Sequence, residues 1–168
     1  MKPAPPLGDR HEVNLRTLLR LRWVTITAEV LLVFAGSAAG WPLAVGPMLG
    51  ILVALGLSNL ALQRLAGRAL PLKGDALHGA VVLFDALAVT GLLALGGGTS
   101  NPFTALYFLQ VVAAALLSSG RWTIAVLGAC ALGYGALFRL PTDPHAMHLK
   151  GHLSGMWAAF VVLGSFFG

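Results

Sequence analysis

Six long apolar runs dominate this sequence and constrain how it can fold. A helix that crosses a membrane needs about 20 mainly apolar residues, because the hydrocarbon core is about 30 Å thick and each residue rises 1.5 Å. Only 10% of the 168 residues are charged, against ~25% in a soluble domain. We therefore predict an all-α fold, a polytopic membrane bundle of six transmembrane helices over 23–40, 43–62, 77–95, 102–119, 122–138 and 153–168.

The basic residues are distributed unequally between the two sides of this predicted bundle. Nine Lys and Arg residues precede the first run or lie in the second and fourth loops, and two lie in the fifth loop. The positive-inside rule then places both chain ends in the cytoplasm, an N-in/C-in topology. Because the basic residues stand between apolar runs and form no stripe among aromatic residues, we expect no nucleic-acid partner.

We divide the chain into a basic segment, 1–22, and a six-helix transmembrane domain, 23–168. Leucines and arginines in 13–23 have helical spacing, so this segment can lie in the headgroup layer. A plain basic flank that fixes the topology is the other interpretation. The last apolar run ends at Gly168 without a flanking charge, and we expect the natural protein to continue into the cytoplasm.

The third loop and its flanks, 95–103, read LGGGTSNPF and allow two interpretations. The structural one is a tight helical hairpin, with glycines ending one helix and Asn101 and Pro102 starting the next. The functional one is a quinone head-group site made of five residues: Gly97, Gly98, Asn101, Pro102 and Phe103. Gly97 and Gly98 would then form a backbone wall, Asn101 would donate to a carbonyl oxygen, and Phe103 would stack on the ring. Unpaired N–H groups at the helix start would favour a carbonyl oxygen or a semiquinone anion.

Further polar and aromatic residues inside the apolar runs form a possible second shell for this site: Glu29, Asp85, Gln110 and Trp157. Buried acids are costly in a membrane, so Glu29 and Asp85 should face the bundle interior, where they could share a proton if they meet. A structural, hydrogen-bonded role is the alternative for both, as an interhelical hydrogen bond is for Gln110. The three histidines in the fifth loop are more typical of a solvated connection than of a metal site, so we predict no bound metal.

Several segments together resemble the RegB/PrrB/ActS family of redox-responsive sensor histidine kinases. GGTSNPF at 97–103 matches the family's quinone-binding signature GGxxNPF. LRTLLRLRW at 15–23 is similar to the family's entry to the first helix, FDAL at 84–87 to part of the third helix, and GMWAAF at 155–160 to the final helix. The resemblance implies a membrane domain that senses the ubiquinone pool and controls a cytoplasmic kinase.

This resemblance also implies a location and partners. The location is the lipid bilayer of the bacterial cytoplasmic (inner) membrane. The partners are a second copy of the chain in a homodimer, ubiquinone as bound ligand, and a response regulator reached through a kinase domain. The kinase core itself, with its phosphoacceptor His and ATP-binding motifs, has no counterpart in these 168 residues, and Cys130 cannot be matched to the family's redox-active linker Cys. We therefore assign no catalytic residue. A small transporter or channel-like bundle that uses Glu29 and Asp85 is the alternative function.

Overall fold

The computed structural model describes residues 7–65, 74–98 and 101–140, and every regular element in these ranges is helical. Long apolar stretches favour this outcome, because helices satisfy every backbone polar group within the segment, and Pro47 of α2 lies in the first turn, where a helix tolerates proline. The helices are α1 (Leu7–Ala38), α2 (Val45–Leu65), α3 (Asp75–Leu95), a short 3-10 helix (Pro102–Ala105), α4 (Leu106–Leu117) and α5 (Gly120–Leu137). The all-α prediction is confirmed.

The bounds of α2, α3 and α5 agree with the predicted runs to within three residues. The fourth run differs at its start, where the chain first forms one turn of 3-10 helix and only then α4. The predicted sixth helix, 153–168, lies outside the described residues. Trp157 and the fifth-loop histidines also lie there, so their predicted roles stay predictions.

The first helix differs most from its prediction, because α1 begins at Leu7 and not near residue 23. Leu15, Leu18 and Leu19 are buried in the same apolar cluster as Leu77 and Val81 of α3. The described part of the predicted separate segment is thus a continuous part of α1 that packs on the bundle. Arg16 and Arg20 face outward on its other side, so the helical spacing is confirmed, and the position of this segment relative to the headgroup layer stays a prediction.

Helix α3 occupies the centre of the bundle and contacts α1, α2, α4 and α5. Small residues allow these close approaches. Gly79 lies directly against the indole ring of Trp122 on α5, and Gly133 on α5 faces the pair formed by Tyr107 and Thr90, whose hydroxyl oxygens are 2.8 Å apart. Close helix contact through small residues is the usual packing mode of membrane bundles.

Each of the five α-helices also presents large apolar side chains on the outside of the bundle. Helices α2 and α3 are long and apolar enough to cross a membrane on length and composition. An outer surface of this kind suits lipid, since it would be a broad exposed apolar patch in water. Examples from the five helices in order are Leu31, Leu57, Leu87, Phe108 and Leu132, which are 58–77% exposed.

Two sets of contacts define the ends of the bundle. At one end, which we call the hairpin end, the backbone N–H of Ala44 before α2 donates to the carbonyl of Leu95 at the end of α3, at 3.3 Å. At the opposite end, Asp75 at the start of α3 accepts a hydrogen bond from the Ser119 hydroxyl at 2.7 Å, and Arg121 lies 3.6 Å from its carboxylate. The predicted ligand motif therefore sits where α3 ends and α4 begins.

Candidate ligand site

The glycines of the motif make the turn that ends α3. The backbone N–H of Gly96 donates to the carbonyl of Leu93 at 3.2 Å. Gly97 and Gly98 then take φ angles of 109° and 64°, a region that residues with a Cβ rarely enter. The structural interpretation of these glycines as a helix terminator is therefore confirmed.

Asn101 connects the two sides of this hairpin and is buried. Its side-chain oxygen accepts a hydrogen bond from the backbone N–H of Phe103 at 2.9 Å, which makes it the N-cap of the 3-10 helix. Its side-chain nitrogen donates to the carbonyl of Gly96, also at 2.9 Å. Asn101 caps a helix as predicted, but both ends of its amide hold the hairpin, which weakens its predicted role as donor to a ligand.

The N–H groups at the start of the fourth helical segment are also engaged. The Phe103 N–H is bonded to the Asn101 side chain, and the Thr104 N–H donates to the Asn101 carbonyl at 3.2 Å. The sequence-based prediction of unpaired N–H groups for a semiquinone anion is therefore wrong for these two positions. A strong N-cap residue consumes the donors that would otherwise face a ligand.

Beneath the hairpin lies a cavity enclosed by α1, α2, α3 and the start of the fourth segment. The surrounding atoms leave about 450 Å³ of unfilled space, part of which opens to the outside of the bundle. Aliphatic side chains form most of its wall, and the rings of Trp41 and Phe103 stand together with centroids 6.1 Å apart and planes at 43°. The lining residues are Glu29, Leu32, Val33, Trp41, Leu43, Met48, Val89, Leu92, Leu93, Asn101, Phe103 and Leu106.

Two of the five predicted quinone-binding residues, Asn101 and Phe103, line this cavity. Gly97 and Gly98 do not, since they form the turn above it, so their predicted role as a wall against the ligand is not supported. Pro102 occupies the first position of the 3-10 helix, as predicted.

Sequence reasoning missed Trp41 as part of this site. The chain turns back after α1 at Gly40, which has a φ of 77°, and Trp41 then packs beside Phe103. A tryptophan directly after a glycine turn was the available signal. Its proximity to the motif depends on how α1 and α3 pack, which sequence spacing does not reveal.

Glu29, predicted as part of a possible second shell, lines the cavity itself. It stands nine residues before the end of α1 at Ala38, about 13 Å along the helix axis. The hairpin reaches down to it because Asn101 and Phe103 fold in under the glycine turn. Glu29 is 6% exposed.

Asp85 is paired with Arg22 and not with Glu29, the partner suggested by the sequence. Its carboxylate receives two hydrogen bonds from the guanidinium of Arg22 on α1, from Nε at 2.9 Å and from an Nη atom at 2.8 Å. Ser58 and Asn59 of α2 accept from the same guanidinium at 2.8 and 3.3 Å. Arg22 is 3% exposed, so it belongs to the bundle interior and should not be counted among the cytoplasmic charges.

Gln110 lines a second, smaller cavity together with Arg22 and Asp85. It therefore does not stand below the motif as predicted. The two acids also face different cavities, Glu29 beside Asn101 and Asp85 beside Gln110. A common polar path lined by both acids, which the transporter interpretation needs, is not present among the described residues, and Asp85 is already neutralised by an arginine.

A helical bundle with an apolar exterior and a largely apolar cavity near one end is typical of a polytopic membrane protein. The chain belongs to the PilS-like transmembrane domain family, whose model matches residues 18–168. It is 30% identical over 162 residues to the sensor histidine kinase RegB of Cereibacter sphaeroides, an alignment that covers 89% of this chain and 34% of that relative. No solved structure matches the chain.

These comparisons confirm the predicted resemblance to a RegB-type transmembrane sensor domain. The chain spans about a third of the length of the curated relative it matches. The number of membrane crossings and their orientation stay predictions.

Proposed function

We propose that this chain is the redox-sensing input domain of a two-component sensor histidine kinase and binds ubiquinone in the cavity beneath the hairpin. The family match and the similarity to a sensor histidine kinase support the signalling part of this proposal. In it, quinone occupancy or redox state changes helix packing, and the predicted helix at 153–168 carries the change to a cytoplasmic kinase. That kinase would phosphorylate a response regulator, and the sensor would act as a homodimer in the bacterial inner membrane.

The cavity is the observation that carries the choice of ligand. It lies directly beneath the hairpin, and one side of it opens to the outside of the bundle. Its wall combines aliphatic side chains with the rings of Trp41 and Phe103. A quinone head group is a flat apolar ring with two carbonyl oxygens, and its apolar tail can leave through the open side of the cavity into lipid.

The hairpin residues have distinct roles in this proposal. Phe103 and Trp41 contact the ring of the quinone, while Asn101 holds Phe103 in place through the hydrogen bond to its backbone N–H. Gly97 and Gly98 supply the left-handed backbone that brings Asn101 back under the end of α3. The motif therefore acts mainly by shaping the cavity.

Signalling requires that the ligand distinguish two packings of the bundle. A ligand shifts such an equilibrium only by the difference of its affinities for the two states. The cavity touches α1, α2, α3 and the fourth segment, so a ligand there contacts four elements whose relative position could change. Oxidised and reduced ubiquinone differ in their hydrogen bonding, since one carries carbonyl and the other hydroxyl groups.

A substitution that fills the cavity tests the location of the site. Leu92 on α3 lines the cavity and is 7% exposed, whereas Leu87 on the same helix faces outward and is 58% exposed. Leu92→Trp should abolish binding of a short-tail ubiquinone to the purified chain in lipid nanodiscs, and Leu87→Trp should bind like the wild type. Absence of binding by the wild type, or equal binding by both variants, would contradict the proposal. Circular dichroism would confirm that both variants keep their helical content.

A further inference from the structure

The cavity beneath the hairpin contains one carboxyl group, that of Glu29. The other lining side chains are aliphatic or aromatic, with the exception of Asn101. Glu29 projects from α1, so it reaches the cavity from a helix that carries no part of the GGTSNPF motif. Its exposed fraction of 6% places it well inside the bundle.

The side chains of Asn101 and Glu29 differ in whether they have a hydrogen-bonding atom available for a ligand. The Asn101 oxygen already accepts from the Phe103 N–H, and its nitrogen already donates to the Gly96 carbonyl. The Glu29 Oε2 atom is fully buried and has no hydrogen-bond partner among the described residues. Buried polar atoms in proteins are nearly always hydrogen-bonded, so an exception at a cavity wall indicates a missing partner.

We propose that Glu29 is the residue that hydrogen-bonds an oxygen of the bound quinone head group, an inference that rests on the proposed function. It assigns to α1 the polar contact that the sequence alone assigned to Asn101. The motif then shapes the cavity and supplies the ring contact, and Glu29 supplies the polar recognition.

The chemistry of a carboxyl group suits both forms of a quinone. An unpaired carboxylate is costly in apolar surroundings, which favours the neutral acid in this cavity. A neutral carboxylic acid has one O–H donor and an acceptor oxygen. It can therefore donate to the carbonyl oxygen of a quinone or accept from the hydroxyl group of a quinol. Arg22, the arginine of α1 nearest to Glu29 in sequence, is bound to Asp85.

Two variants separate hydrogen bonding from cavity shape. Glu29→Gln keeps a donor and an acceptor in a side chain of nearly the same size, and Glu29→Met keeps the length but removes both. Glu29→Gln should bind short-tail ubiquinone within about threefold of the wild type, and Glu29→Met should bind at least about tenfold more weakly, since a buried carbonyl oxygen is then left unpaired. An alkylated aromatic compound of similar size without carbonyl oxygens should bind all three proteins equally.

A spectroscopic measurement tests the same contact without relying on a variant that lacks polar groups. A hydrogen bond from Glu29 should lower the carbonyl stretching frequency of labelled ubiquinone bound to the wild type, relative to the quinone in an apolar solvent. Glu29→Gln should change the size of that shift. A bound carbonyl frequency equal to that in apolar solvent would overturn the inference.

The two proposals fail in different ways. If the wild type binds ubiquinone, Leu92→Trp does not, and Glu29→Met binds like the wild type, then the role of Glu29 is overturned and the location of the site stands. If the wild type binds no ubiquinone in nanodiscs, both proposals are overturned.

Discussion

The guanidinium of Arg22 and the carboxylate of Asp85 form a two-point ion pair between α1 and α3, with N–O distances of 2.8 and 2.9 Å. Both residues are almost completely buried. A charge inside a membrane bundle is costly unless it is paired and hydrogen-bonded. The pair satisfies this condition, because the guanidinium donates two further hydrogen bonds, to Ser58 and Asn59.

Removing one member of this ion pair should destabilise the bundle more than removing both. Arg22→Met and Asp85→Leu each leave one buried charge without its partner and should lower the free energy of unfolding by about 3–5 kcal/mol. The double variant should recover much of that loss, because no unpaired charge remains. Denaturation in mixed detergent micelles would measure the three values. Arg20→Met, at an exposed position two residues away on α1, is the control and should change stability little; single variants as stable as this control would contradict the prediction.

Asn101 should matter for the stability of the hairpin even without a ligand. Asn101→Ala removes the cap on the Phe103 N–H and the donor to Gly96, and should lower the free energy of unfolding by about 1–2 kcal/mol. Asn14→Ala, in α1, makes the same chemical change away from the hairpin and should be neutral or slightly stabilising, since alanine favours helices. The same micelle denaturation assay compares them, and equal stabilities would refute the structural role of Asn101.

The turn glycines should be sensitive to a single added methyl group. Gly98 has a φ of 64°, a conformation that costs a residue with a Cβ about 1–2 kcal/mol. Gly98→Ala should therefore lower stability, whereas Gly50→Ala on α2, where an added Cβ meets no atom within 4 Å, should raise it by up to about 1 kcal/mol. Melting temperatures in the same detergent would show the opposite signs, and a stabilising Gly98→Ala would count against the left-handed turn.

The close packing of α3 on α5 should likewise not accommodate an added methyl group at Gly79. A Cβ at this position would overlap the ring of Trp122, so Gly79→Ala should cost about 1–3 kcal/mol through forced displacement of the indole. Gly128→Ala on α5 faces open space and serves as the matched control. Tryptophan fluorescence of the Gly79 variant should also change, because the surroundings of Trp122 change. A Gly79→Ala variant that matches the control in both stability and fluorescence would mean that the two helices lie further apart.

Hydropathy and turn chemistry were sufficient to predict most of the fold. The runs that became α2, α3 and α5 are apolar over nearly their full length, and the motif between α3 and α4 carries the residues that a tight hairpin needs. The start of α1 could not be placed, because a helix with leucines on one side and arginines on the other fits a headgroup layer as well as a bundle surface. The packing of Leu15, Leu18 and Leu19 on α3 shows that this stretch is part of the bundle.

Only part of the site was predicted, because sequence reveals residues within one motif but not contacts between distant helices. Asn101 and Phe103 are local to the motif, so sequence could find them. Glu29, Trp41 and the partner of Asp85 depend on contacts between helices that are distant in sequence, such as the 63 positions between Arg22 and Asp85. Their residue types signalled only that they should face inward.

The unbroken course of α1 has a mechanical consequence. Arg22 and Glu29 are separated by seven residues on this helix, about 10 Å and two turns, so they lie on nearly the same face. The ion pair fixes α1 to α3 near the middle of a rod of 32 residues. On the other side of the pair, Leu15, Leu18 and Leu19 hold the same helix in the apolar cluster of α3. A shift of α1 at the cavity end must therefore be absorbed at the ion pair or passed on to these leucines and their contacts with α3.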